Sequence, residues 1–201
     1  SLETVSIGDS VTSISGYAFS RCSSLKNVSL GYGLTIIGEN AFQNVELTTL
    51  IADVVIDGLM ATYFPKSLAT LKSITIGSSV KNINTKAFQG CTALETAIIS
   101  TSVVTVAADA FSQCDLLLKC HISADDIVDG NYVVPSSHAQ ISAFYFYECG
   151  SFLKTVTIPS SVLTIQYGSF YDTSIEILAI PTTVQSIGYD VFLKTPIKSL
   201  V

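Results

Sequence analysis

The sequence has 201 residues, of which 48% are hydrophobic and only 13% are charged. This composition supplies a large apolar core and excludes a disordered chain. The formal net charge of -6 argues against nucleic acid as a partner, because such binding depends on a basic surface. The sequence has no run of about 18 apolar residues, so we expect no membrane insertion in this fragment.

An internal repeat organises the whole chain. The dipeptide Ala-Phe recurs as Ala18-Phe19, Ala41-Phe42, Ala87-Phe88 and Ala110-Phe111, with gaps between the phenylalanines of 23, 46 and 23 residues. A degenerate copy at Tyr63-Phe64 divides the double gap, and the later copies carry Phe146, Phe170 and Phe192. A fixed period of this length is the signature of stacked structural repeats.

Each repeat is predicted to contain four elements in chain order. The opening pattern Leu-x-x-Val-x-Ile, as at residues 2–7 and 153–158, has the two-residue periodicity of a strand. Gly or Pro then marks a turn, as in residues 76–80 and 158–162. The next pattern, Val-x-x-Ile, predicts a short second strand, and Ala-Phe-x-x-Cys predicts one helical turn. Because one such unit cannot bury its own apolar face, the copies must stack with their strands parallel, about 4.8 Å apart.

The best-preserved copies resemble the BspA-like class of leucine-rich repeats. Residues 153–170 and 175–192 match its pattern, including Pro159, Pro181 and Gly188. The resemblance implies a right-handed superhelical solenoid with a parallel concave β-sheet, one strand per ~23-residue repeat, and a short strand and helical turn on the convex side. It also implies a cell-surface or secreted protein, because such repeats occur in adhesion proteins of bacteria and protists.

The repeat frame is interrupted once. Leu117, Cys120 and Ile122 begin a copy in the usual way, but Phe146 follows about twelve residues late. We therefore predict one array over residues 1–201, cut from a longer array, with an irregular insertion at about 123–140. Insertions in repeats often form binding sites. The alternative is a surface loop whose sequence has drifted without a function.

The concave face is the predicted binding surface, because residues that flank the inward Val of each strand point outward. These positions form a ladder of small hydroxyl residues with apolar residues among them. The candidate binding residues are Thr49, Ile51, Ser73, Thr75, Thr96, Ile98, Lys119, His121, Thr155 and Thr157. One position before the ladder, charges alternate between neighbouring repeats, as at Glu3 and Lys26 or at Glu176 and Lys198, and predict salt bridges between strands.

The residues with reactive side chains give little support to catalysis or metal binding. Four of the five cysteines come three residues after a repeat Phe, which predicts buried free thiols; pairing of Cys114 with Cys120 stays open. His121 and His138 are the only histidines, and no nucleophile motif accompanies them. Asp125, Asp126 and Asp129 lack the spacing of a calcium loop. We predict no enzyme activity, no metal and no cofactor.

The sequence thus predicts a non-catalytic binding module. The resemblance implies cell-surface adhesion or interaction with a host or matrix protein through the concave face. The partner is expected to be a protein or a glycan, and the extracellular matrix is one expected source. The alternative is a structural stalk or spacer that displays another domain.

Overall fold

The chain forms two compact units, residues 1–117 and 118–201, both built from short parallel strands. The computed structural model describes residues 2–54, 58–100, 102–107, 109–117, 122, 126–147, 149–150 and 153–201. The predicted class, a leucine-rich-repeat solenoid, is confirmed. That residues 1–201 form one array stays a prediction.

The first unit alternates long and short strands along the chain. Its elements are β1 (Thr4–Ile7), β2 (Ser13–Ile14), β3 (Asn27–Leu30), β4 (Ile36–Ile37), β5 (Thr49–Ala52), α1 (Leu59–Tyr63), a 3₁₀ turn (Pro65–Ser67), β6 (Ser73–Ile76), β7 (Asn82–Ile83), β8 (Thr96–Ile99) and β9 (Thr105–Val106). The long strands form one five-stranded parallel sheet in the order β1-β3-β5-β6-β8. The short strands pair separately, β2 with β4 and β7 with β9.

The repeat fixes the register of this sheet. Equivalent residues face each other across every pair of long strands, so that Val5, Val28, Leu50, Ile74 and Ala97 make one column. All of them except the half-buried Val5 are almost completely buried. Burial of each large aliphatic side chain contributes about 1.5–3 kcal/mol to stability, so this shared column helps to hold the repeats together.

The Ala-Phe segments form hydrogen-bonded turns rather than the predicted helical turn. The amide of the repeat Phe donates to the carbonyl of the next repeat, as from Phe19 to Ala41 at 2.8 Å and from Phe88 to Ala110 at 2.8 Å. That amide is therefore not available to an intrahelical bond. The phenylalanine rings stack along the unit, with centroids 4.9 Å apart for Phe19 and Phe42. The degenerate third copy is the exception, since it contains α1.

The second unit repeats this plan. Its strands are β10 (Asn131–Val133), β11 (Gln140–Ile141), β12 (Thr155–Thr157), β13 (Thr164–Ile165), β14 (Ile177–Leu178), β15 (Ser186–Ile187) and β16 (Ser199–Leu200). The long strands β10 and β12 pair in parallel, as do β14 and β16, while the short strands run in the order β11-β13-β15. Phe146, Phe170 and Phe192 stack with centroid distances of 4.7 and 5.7 Å.

The predicted insertion at 123–140 is corrected from residue 131 onward, because β10 pairs with β12 and β11 pairs with β13. Tyr132 lies opposite Val156, and Ile141 lies opposite Ile165. Residues 131–141 are therefore a regular repeat, and the departure from the frame ends before Asn131. The preceding turn at Asp129 and Gly130 leads directly into β10.

Candidate binding surfaces

The outward side chains of the long strands in the first unit form what we call the first sheet face. The burial of β5 and β8 alternates residue by residue, because successive side chains of a strand point to opposite sides. The first sheet face consists of Thr4, Ser6, Asn27, Ser29, Thr49, Ile51, Ser73, Thr75, Thr96 and Ile98. Six of the predicted binding residues thus lie together on one sheet.

Two isoleucines interrupt the hydroxyl ladder of the first sheet face. Ile51 is 41% exposed and Ile98 is 39% exposed. The register places Thr75 between them on the intervening strand β6. The polar members bond sideways to one another, as from Ser73 Oγ to Thr49 Oγ1 at 3.4 Å. The result is an ordered polar surface with two exposed apolar residues on either side of one strand.

The second unit has a corresponding surface, the second sheet face. Of the predicted residues it contains Thr155 and Thr157, whereas Lys119 and His121 lie outside the described residues. The outward positions of β10, β12, β14 and β16, with Ala179 bridged to Thr157, are Asn131, Val133, Thr155, Thr157, Ile177, Ala179 and Ser199. Asn131 Oδ1 accepts a hydrogen bond of 2.8 Å from Thr155 Oγ1.

Asn131 and Val133 are surface residues that the sequence analysis missed. Both flank the inward Tyr132, and Val133 is 57% exposed. A signal for them was present, since residues 134–137 read Val-Pro-Ser-Ser and match Ile-Pro-Ser-Ser at 158–161. The aromatic Tyr132, in place of the aliphatic residue of other repeats, obscured the match.

Charged residues beside the sheet faces form two salt bridges within the described part of the chain. Lys198 Nζ lies 2.8 Å from Glu176 Oε2, as the alternating charges predicted. Lys26 instead pairs with Glu46, at 3.6 Å, rather than with Glu3. All four side chains are substantially exposed, so each pair contributes only about 0.2–1 kcal/mol.

The cysteines divide into two chemical states. Cys22, Cys91 and Cys114 are free, so the pairing of Cys114 with Cys120 is not formed. Cys149 is buried and disulfide-bonded, which corrects the prediction of a free thiol there. Its position in the repeat is that of the free cysteines, so repeat position alone cannot reveal a disulfide.

A hydrogen bond with Cys114, together with burial, raises the pKa of the Cys91 thiol far above its ordinary value. Cys91 is thus a poor nucleophile.

The remaining candidate residues do not assemble into a reactive site in the described ranges. His138 occupies an inward position, equivalent to Val162, and its ring meets Tyr145 edge-on at 5.9 Å. Its buried Nδ1 has no hydrogen-bond partner among the described residues. Asp126 and Asp129 are exposed, whereas Asp125 lies outside the described ranges. Within those ranges, no three His, Cys, Asp or Glu side chains are grouped so as to hold a metal ion.

The fold and these surfaces define a repeat protein whose accessible features are the faces of parallel sheets. A family model for the BspA-type leucine-rich repeat region matches the sequence in six copies, over residues 1–118, 58–134 and 129–201. The chain belongs to this family. No curated protein sequence matches it. Among the described residues, no helix is both long enough and apolar enough to cross a bilayer.

Several solved structures resemble the chain. A leucine-rich cell surface protein from Faecalibacterium prausnitzii is 23% identical, with a TM-score of 0.34; 98% of this chain and 47% of that one are covered. A leucine-rich repeat protein from Eubacterium ventriosum is 20% identical, with a TM-score of 0.36 and coverage of 98% and 59%. One from Bacteroides ovatus is 19% identical, with a TM-score of 0.39 and coverage of 96% and 70%. The chain spans less than two thirds of the first two proteins.

Proposed function

We propose that the chain is a non-catalytic binding module of a cell-surface or secreted protein, and that it binds a partner protein through the first sheet face. The observation that carries the proposal is the pair of exposed isoleucines, Ile51 and Ile98, set in an ordered ladder of hydroxyl groups. An interface needs apolar contacts that exclude water and polar groups that fix orientation. This face offers both on a rigid sheet.

The ladder itself favours recognition over chemistry. Its Thr and Ser hydroxyls donate and accept hydrogen bonds without carrying charge, and they are held by lateral bonds such as that from Asn27 Nδ2 to Thr4 Oγ1 at 3.3 Å. A surface ordered before binding loses less side-chain entropy on association. An extracellular matrix protein is the partner class that we propose to test first.

The disulfide at Cys149 supports an extracellular location. Disulfides persist in oxidising compartments and are rare in the cytosol. Family membership agrees with this location, and a relative from Faecalibacterium prausnitzii is itself described as a cell surface protein.

The test is binding of the purified chain to immobilised collagen, laminin and fibronectin, with an unrelated solenoid as the background. We expect binding above that background. The double variant I51S/I98S should weaken it by about tenfold, since two lost apolar contacts of about 0.7 kcal/mol each add up to about 1.4 kcal/mol.

The matched control is I36S/V104S. Ile36 and Val104 are exposed isoleucine and valine side chains of the same unit, at 61% and 59%, but they lie at the short strands and away from the first sheet face. This variant should bind as the wild type does. Equal losses in both variants, or no binding to any matrix protein, would contradict the proposal and favour a structural stalk.

A further inference from the structure

The second unit carries a cluster of tyrosines on its turn side, which we call the aromatic strip: Tyr147, Tyr167, Tyr171 and Tyr189. Tyr147 and Tyr171 stack with centroids 5.3 Å apart, and Tyr167 and Tyr189 stack at 6.4 Å. Phe144 touches both pairs edge-on, at 6.0 Å from Tyr147 and 5.1 Å from Tyr167. Tyr189 is 43% exposed, and the other three rings are half-buried.

The aromatic strip is not a requirement of the repeat. Tyr147 and Tyr171 directly follow the repeat phenylalanines Phe146 and Phe170. In the first unit the same position is held by Ser20, Gln43, Pro65, Gln89 and Ser112. These repeats fold without an aromatic residue there, so the tyrosines are additional to what the solenoid core needs.

Acidic side chains accompany the strip. Asp172 follows Tyr171 and is exposed, and Asp190 follows Tyr189. Neither carboxylate takes part in a salt bridge within the described residues. Burial raises the pKa of Tyr167 above its ordinary value, with the nearby Asp190 charge as the next cause. The Tyr167 phenol therefore remains neutral beside the Asp190 carboxylate.

The strip already holds one cation from its own chain. Lys194 Nζ lies 5.3 Å from the centroid of the Tyr171 ring. A hydrogen bond with Tyr171, with the Asp172 charge contributing, raises the pKa of the Lys194 amine. The strip thus accommodates an ammonium group over an aromatic face, as in a cation–π contact, and the Asp172 charge favours the charged form of that amine.

We propose that the aromatic strip is a second binding surface, and that it takes a polypeptide segment carrying lysine or arginine side chains. Each cationic group would lie over a tyrosine ring beside Asp172 or Asp190, as Lys194 does on Tyr171. Charge complementarity selects this partner over a neutral one, because Asp172 and Asp190 form no salt bridge within the described residues and the whole chain carries a net charge of -6. This surface is separate from the first sheet face and does not depend on the proposed function.

The experiment measures the affinity of the full chain for a short fluorescein-labelled peptide of repeated Arg-Gly-Ser, by fluorescence anisotropy. Y171S/Y189S should weaken binding by about tenfold, the scale of a lost, partly desolvated cation–π contact. D172N/D190N should weaken it several-fold. Y171F keeps the ring face and should bind as the wild type does. Y189S is also measured alone, so that a folding defect caused by loss of Tyr171 leaves the test intact.

The control for net charge is E95Q/D115N, which removes two exposed carboxylates from the first unit. It should leave the affinity unchanged within about twofold, because these two carboxylates are not part of the aromatic strip and exposed charges are screened by salt. The proposal is overturned if E95Q/D115N loses as much affinity as D172N/D190N, or if neither Y189S nor Y171S/Y189S changes the affinity. It is also overturned if the chain binds dextran, a carbohydrate, but not the peptide. I51S/I98S should leave peptide binding intact, which separates this proposal from that of the first sheet face.

Discussion

At the scale of single residues, the glycines show how closely the repeats approach. A Cβ atom built on Gly38 would lie 2.3 Å from the backbone nitrogen of Gly16 in the preceding repeat. At Gly8, by contrast, the same atom would meet nothing within 4 Å. The two positions both follow strands but differ in packing, so glycine is required at one and dispensable at the other.

We therefore expect Gly38→Ala to destabilise the first unit by about 1–3 kcal/mol, because backbone must move to admit the methyl group. Gly8→Ala should be neutral, or stabilising by about 0.4–1 kcal/mol through the unfolded state. Urea denaturation of the full chain, followed by circular dichroism, measures both. Equal stabilities of the two variants would contradict the backbone contact between Gly16 and Gly38.

At the scale of elements, the repeat frame predicted most strands because each strand contributes an apolar residue to the same inward column. The frame located the long strands β3, β6 and β12 and the outward residues between their buried positions. It failed at β10, where an aromatic residue replaces the aliphatic one. It also failed at the Ala-Phe segment, because a sequence pattern cannot reveal that the Phe amide bonds to the next repeat instead of within a helix.

The aromatic strip could not have been predicted from the repeat frame either. Tyr167 and Tyr171 occupy positions that are variable between repeats, and a frame of recurring residues says nothing about them. Their grouping depends on turn geometry, which brings side chains from successive repeats within 6 Å of one another at the Tyr147–Tyr171 pair. Folding information thus lies in the recurring residues, whereas the residues of the binding surfaces that we propose are among the others.

The position of β10 has its own test. Tyr132 is buried, its hydroxyl lies 3.1 Å from that of Tyr145, and its ring meets Phe146 edge-on at 5.8 Å. Tyr132→Ala should therefore cost about 3 kcal/mol, as large-to-small changes of buried aromatic residues do. Val133→Ala, at the exposed neighbour, should change stability by less than about 0.5 kcal/mol. If residues 131–133 were a surface insertion, both changes would be equally mild in thermal denaturation.

At the scale of the whole molecule, the two units have the same architecture but different covalent chemistry. The first unit contains free Cys22, Cys91 and Cys114, whereas the second contains the disulfide-bonded Cys149. A disulfide stabilises chiefly by restricting the unfolded chain. The second unit, with fewer residues and a departure from the repeat frame before Asn131, is the part of the molecule that gains from such a restraint.

Cys149→Ser should consequently lower the free energy of unfolding of the second unit by about 2–5 kcal/mol. Hydrogen exchange measured by mass spectrometry resolves the effect by region: amides of β12 and β13 should exchange faster, while those of β3 and β6 should not. Cys114→Ser makes the same atomic change at a free cysteine in the first unit. This variant keeps the disulfide at Cys149, so its second unit should still respond to reductant, whereas the exchange of β3 and β6 should not. Dithiothreitol should reproduce the Cys149→Ser pattern in the wild type and leave the variant unchanged. A wild-type chain whose second unit exchanges equally with and without reductant would show that the disulfide does not stabilise it.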